Sequence, residues 1–132
     1  MNEEMNIQWY PGHMTKSRRQ IEADLKLVDA VCEILDARIP VSSRNPDIAA
    51  ICGNKPRLVI LNRIDMADPA ATAAWTAWFR SQGLSVVQTD CKSRQGIGQF
   101  VPAVRSILKE KLRRDAEKGQ SRPLKIMVVG IP

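Results

Sequence analysis

Asn62 and Asp65 directly follow the apolar run Leu58-Val59-Ile60-Leu61. A carboxylate just past the end of a buried strand can accept from two donors at once. Guanine offers such a pair, its N1–H and its exocyclic amine, while an amide side chain beside it meets the purine's other polar edge. Adenine presents neither donor to Asp65, and a site left with an unpaired charged acceptor discriminates by roughly 10⁴-fold or more. The competing structural reading makes Asp65 a loop acid that caps the next helix, a place Asp68 before Pro69 already fills. Asn-x-x-Asp alone is a weak pattern, so its position carries the weight.

A second group follows one strand later. Asp90-Cys91-Lys92, with Gly96 and Gly98 behind it, has the composition of a small loop whose backbone N–H groups bond a base oxygen while nearby side chains shape the pocket. Read alone, it is a turn with two glycines. Metal chemistry is disfavoured, because His13 is the only histidine and Cys32, Cys52 and Cys91 are too far apart for a zinc motif. The three cysteines read as reduced thiols that pack.

Charge points to a polyanion. Lys and Arg outnumber Asp and Glu by 20 to 14, giving a net +6, and eight basic residues against three acids fall between Ala103 and Lys125. Lys111, Arg113 and Arg114 are its densest cluster and the candidate RNA contacts. The plainer reading is a solvated helix face. Two Phe and one Tyr argue against a base-stacking platform.

These residues need a scaffold, and 132 residues are room for one domain. Apolar runs at Ala30–Leu35, Arg57–Leu61, Leu84–Gln88 and Leu124–Val129 predict strands. Helical spacing predicts helices at Thr15–Val28, Pro69–Arg80 and, as one long rod, Ile97 to about Glu117. Strands apolar throughout and separated by helices imply an α/β fold, a parallel sheet with helices on both faces. Ligands on such sheets bind at the carboxyl ends of the strands, where Asp36-Ala37-Arg38, Asn62 to Asp65, Thr89 to Lys92 and Gly130-Ile131-Pro132 all fall. No membrane span or secretory signal is visible, which suits a cytoplasmic protein.

Four motifs in order carry a resemblance. Gln8-Trp9-Tyr10-Pro11-Gly12-His13-Met14, Asp36-Ala37-Arg38-Ile39-Pro40 with Ser42-Ser43-Arg44-Asn45-Pro46, Asn62-Arg63-Ile64-Asp65, and Lys125-Ile126-Met127-Val128-Val129-Gly130-Ile131-Pro132 together resemble the ribosome biogenesis GTPase A (YlqF-like) family of circularly permuted GTPases. The likeness spans essentially the whole chain. It implies a circularly permuted P-loop GTPase fold, Rossmann-like and three-layered, in which guanine-reading motifs precede the phosphate-binding loop. Asn62, Arg63, Asp65, Asp90, Cys91 and Lys92 would bind guanine, and Gly130, Ile131 and Pro132 would begin the phosphate loop. No Gly-x-x-x-x-Gly-Lys-Ser/Thr occurs in the sequence, so the reading is a truncated domain, inactive alone. Residues 1–29 would be a leader and helix, 30–117 the guanine-recognition half and 124–132 the start of the phosphate strand and loop.

The resemblance further implies GTP and GDP as ligands, Mg²⁺ held by residues not in this chain, and the large ribosomal subunit, its rRNA and proteins, as partner in late assembly. His13 is the one catalytic nomination, as a group that orients the attacking water; the alternative places it at a helix start against RNA. Arg63 departs from the family's usual Lys, and Asp90 from the Ser common in GTPases. Two rival readings remain, an RNA-binding module without nucleotide chemistry and a dinucleotide-binding fold opening at Val128-Val129-Gly130. The GTPase analogy orders the strands as Leu124–Val129, Ala30–Leu35, Arg57–Leu61, Leu84–Gln88. That leaves the uncharged run Ile126 to Val129 as an open edge that invites self-association.

Overall fold

The computed structural model describes residues 5–11, 18–40, 52, 55–90, 93–119 and 123–130. Five parallel strands, β1 (Met5–Pro11), β2 (Ala30–Asp36), β3 (Arg57–Asn62), β4 (Ser85–Gln88) and β5 (Leu124–Gly130), form one sheet in the order β1-β5-β2-β3-β4. The helices that lie wholly within the described residues are α1 (Arg18–Leu25), α2 (Pro69–Ser81), α3 (Phe100–Ile107) and α4 (Lys109–Glu117).

Period-two alternation of side chains divides the core. Ala30, Cys32, Leu58, Ile60, Val87, Ile126 and Val128 pack on one face with Val104 and Leu108, under α3 and α4. The intervening residues point the other way. Val31, Met127 and Val129 meet Ile21 and Leu25 of α1, and Leu35, Val59, Leu61 and Val86 meet Phe79 of α2. Strands buried on both faces are apolar at most positions, Glu33 in the middle of β2 being the buried charged exception, which is why they read as nearly continuous runs in the sequence. The thiol of Cys32, enclosed in the first cluster, is pushed up to about 12 by burial.

Local signals explain the element ends. The Asp68 side chain accepts from the Ala71 N–H at 3.0 Å, capping α2, and Pro69 takes its first turn. Gly83, at φ 83°, closes that helix, its N–H reaching the Arg80 carbonyl at 3.0 Å.

Three expectations are corrected. The leader at 1–29 is not simply a lead-in, because residues 5–11 form β1. Met5 to Pro11 pair in parallel register with Leu124 to Gly130, so β5 has neighbours on both sides and is no edge. The proposed self-association through β5 therefore loses its basis. The predicted rod from Ile97 to Glu117 is interrupted: a short 3₁₀ turn covers Ile97–Gln99, and α3 and α4 meet at Leu108, φ −106° and ψ 14°. No proline or glycine marks this bend. Leu108 is buried, and Lys111 lies 3.4 Å from Asp29 at the start of β2, which fixes the direction of α4.

Met127, within the run expected to form an open edge, is fully buried against α1. Met127→Lys is thus expected to leave an uncompensated buried charge and destabilise the chain by about 3 kcal/mol or more. Thermal unfolding checks this, and an unchanged midpoint would place the side chain at the surface.

Candidate functional site at the carboxyl edge of the sheet

Parallel pairing brings the ends of all five strands to one edge. Asp36 stands directly across from Asn62 in the β2–β3 ladder, and Leu61 across from Gln88 in β3–β4. Asn62 is buried at 7% exposure. Its Oδ1 accepts from the Thr89 hydroxyl at 3.1 Å, and its carbonyl accepts from the Ala37 N–H at 2.8 Å. One residue thereby joins the segments that follow β2, β3 and β4. Its amide oxygen thus braces the loops.

Asp65 is exposed, on a 3₁₀ turn over Ile64–Met66. The turn is anchored by the Ile64 N–H donating to the Thr89 carbonyl at 3.3 Å and by Met66 N–H to Arg63 O at 3.0 Å. Arg63 enters it at φ 64° and ψ 37°, a left-handed conformation that costs a side-chain-bearing residue about 1–2 kcal/mol. Its Nε is buried and has no hydrogen-bond partner. Backbone strain of this kind concentrates at functional turns.

The loop after β4 packs opposite. The Asp90 N–H donates to the Gln95 carbonyl at 2.9 Å, and the Asp90 carboxylate accepts from the Ser93 hydroxyl at 2.7 Å. Asp90 is buried and braces its own loop. Gly96, φ 81°, lies so close to β4 that a Cβ there would stand 2.1 Å from the Gln88 carbonyl oxygen. Only glycine permits that approach.

A cavity of about 270 Å³ opens between the Ile64–Asp65 turn, Pro69 and Thr72 of α2, and Gln88 and Gln95. A larger one, about 520 Å³, lies at the opposite end of the sheet against Asp29, Lys55, Pro56, Leu108, Lys111 and Arg114. The smaller cavity is the one beside the strand carboxyl ends, where α/β sheets bind ligands.

On the other side of Asn62, Arg38 and Asp36 form a close pair, Nη2 to Oδ2 at 2.6 Å. Those hydrogen bonds hold the Asp36 carboxyl below the usual carboxylate range, and the nearby Arg63 adds to the effect.

The structure therefore brings Asn62, Arg63, Asp65 and Asp90 together, with Gly130 ending β5 at the same edge. His13, Cys91, Lys92, Ile131, Pro132 and the Ser42–Pro46 stretch lie outside the described residues. The basic candidates sit elsewhere, on α4. Arg113 bonds Glu110 at 2.7 Å and Glu117 at 3.0 Å, Lys111 pairs with Asp29 and Asp115, and Arg114 is exposed. Sequence reasoning placed Thr89 at the strand end but missed its bond to Asn62. It also missed Gln95, which nothing in the sequence marks. Among the described residues no three His, Cys, Asp or Glu cluster to hold a metal, and no helix is long and apolar enough to cross a membrane.

Comparison with known proteins adds a family context. The chain is 47% identical over 130 residues to a protein named ribosome biogenesis GTPase A from Priestia megaterium, covering 97% of the chain and 45% of that protein. It is 38% identical to mitochondrial ribosome-associated GTPase 1 of Mus musculus, over 94% of the chain and 38% of the relative. It thus spans less than half the length of these relatives. Among solved structures, GNP-bound YlqF from T. maritima matches with a TM-score of 0.55 and 30% identity over 88% of the chain and 42% of that structure. The GDP-bound form matches at 0.54 and 30%, over 86% and 42%. No family-wide sequence profile matches the chain.

Proposed function

We propose, from the likeness of nearly the whole chain to part of ribosome biogenesis GTPase A and YlqF, that it is the guanine-recognition half of a GTPase acting in late assembly of the large ribosomal subunit. The observation that carries the reading is Asp65, exposed on a strained turn at the carboxyl end of β3 and lining one cavity with Gln95 of the loop after β4. In this reading the Asp65 carboxylate accepts from guanine N1–H and the exocyclic amine. Asn62 holds the two bracketing loops together through Thr89, and the Arg63 guanidinium lies over the purine face. Residues 30–117 form the base-reading half and 124–132 begin the phosphate strand and loop. Cys91 and Lys92 would complete the base pocket, Gly130, Ile131 and Pro132 would lead into the phosphate loop, and His13 is the candidate for positioning water.

GTP is hydrolysed to GDP and phosphate only in the complete protein. This chemistry uses Mg²⁺ to neutralise phosphate charge, and among the described residues no three His, Cys, Asp or Glu cluster to hold it. Base contacts alone supply two or three hydrogen bonds against an association cost of several kcal/mol. Isothermal titration of the 132-residue chain with GDP is expected to give millimolar affinity or weaker, with no detectable hydrolysis. A micromolar dissociation constant would overturn this division of labour.

The reading as an RNA- or ribosome-binding module without nucleotide chemistry draws on one observation, the basic residues around the larger cavity. The ion pairs of Arg113 are solvent-exposed and contribute little to stability, so they can be exchanged for phosphates. Replacing Lys111, Arg113 and Arg114 together with Glu is expected to weaken association with the ribosomal subunit, lower its salt slope by about three, and leave nucleotide affinity unchanged. An unaltered slope would make α4 an ordinary solvated face.

A further inference from the structure

Asp36 and Arg38 end β2 beside the base-reading turn, and neither has a part in the function described so far. The contact between them is unusually complete for residues so near solvent. Arg38 Nε donates to Asp36 Oδ1 at 2.9 Å and Oδ2 at 3.2 Å, Nη2 donates to Oδ2 at 2.6 Å, and the Arg38 backbone N–H donates to Oδ1 at 2.9 Å. The Asp36 side chain is only 14% exposed, whereas that of Arg38 is 42% exposed. The acid is therefore the fixed member and the guanidinium the one it restrains. The Ala37 N–H, bonded to the Asn62 carbonyl at 2.8 Å, ties the same segment to the strand that ends in the turn.

We propose that Asp36 is a positioning residue for guanine recognition, clamping the Arg38 guanidinium at the end of β2 and so keeping that cation off the Asp65 carboxylate. The danger it averts is a matter of matching shapes. A guanidinium fork presents two parallel N–H donors to one carboxylate, the same pair of donors that guanine presents through N1–H and its exocyclic amine. Arg38 already lies within the field of Asp65, which adds to the stabilisation of its charge by Asp36. Released from Asp36, its flexible side chain would find Asp65 as the exposed acid nearby and occupy both oxygens that the base requires. The pair on β2 thus holds the base-reading carboxylate open.

This inference rests on the guanine reading of Asp65, and the experiment separates the two. GDP affinity of the full-length protein is measured by calorimetry for the wild type and for Asp36→Ala, Asp36→Asn, Arg38→Ala and the double variant Asp36→Ala with Arg38→Ala. The freed arginine should lower affinity about tenfold in either Asp36 variant, and this loss should shrink at high salt because the new pair is exposed. Removing Arg38 as well should restore affinity to within about twofold of wild type. A double variant as weak as Asp36→Ala, or unchanged affinity in both Asp36→Ala and Asp36→Asn, would overturn the clamp, whereas Arg38→Ala alone should bind GDP like the wild type. A merely structural role for Asp36 predicts no such rescue. Asp65→Asn serves as the control, and unchanged GDP affinity there would overturn the guanine reading itself.

Discussion

Asp65→Asn in the full-length protein is expected to lower GTP affinity by at least about tenfold and to raise that for xanthosine triphosphate. The carboxylate offers two acceptors, and guanine answers with two donors. Asparagine offers one of each, so one of its groups would face a like partner on guanine, whereas xanthine carries a carbonyl where guanine carries the amine. Asp65 stands on an exposed 3₁₀ turn with no part in the buried core, so the substitution should leave the fold intact. Competition between the two nucleotides, measured on one preparation, checks it. Equal GTP affinity in wild type and variant would remove Asp65 from the base site.

Gly130→Ala is expected to destabilise the chain by about 3–5 kcal/mol, lowering the unfolding midpoint by roughly 10 °C or more. Gly130 ends β5 at φ 124°, where a side chain is strained whatever space surrounds it. A Cβ there would also stand 2.1 Å from the Ile34 carbonyl oxygen on the neighbouring strand. That neighbour is ladder backbone, which cannot move aside without breaking the β2–β5 register. Calorimetric unfolding without nucleotide isolates this from any effect on binding. A loss below about 1 kcal/mol would mean that β5 ends in a different conformation.

The strands were legible because a parallel sheet covered on both faces leaves no polar alternation to confuse the reading. The order of β5, β2, β3 and β4 agrees with the expectation, as do the cap at Asp68 and the stop at Gly83. β1 was not legible. Met5-Asn6-Ile7-Gln8-Trp9 does alternate apolar and polar residues, but over five positions only and just ahead of Pro11-Gly12, a signal too short to stand out from a leader. What makes it a strand is a partner more than a hundred residues away. The bend at Leu108 was hidden too, since apolar spacing continues across it from Val104 to Leu112. In the site, Asn62 and Asp65 were visible as residue types in a telling place. The bracing of Asn62 by Thr89, 27 residues away, and the clamp between Asp36 and Arg38 within one turn were not, because individual side-chain pairings leave no periodic trace.

The pairing of β1 with β5 also orders events in time. During synthesis β1 leaves the ribosome first and β5 after almost all the rest of these residues, so β1 must wait without its partner. β2, β3 and β4 can associate meanwhile through right-handed crossovers, but β2 keeps an open flank until β5 arrives. β5 then fills two vacancies at once, against β2 on one side and β1 on the other. Contacts this distant in sequence slow the final step, because loop closure must precede the reward of pairing. A nascent chain stalled before Leu124 should therefore remain sensitive to proteases at its amino terminus, and become resistant there only once β5 has emerged.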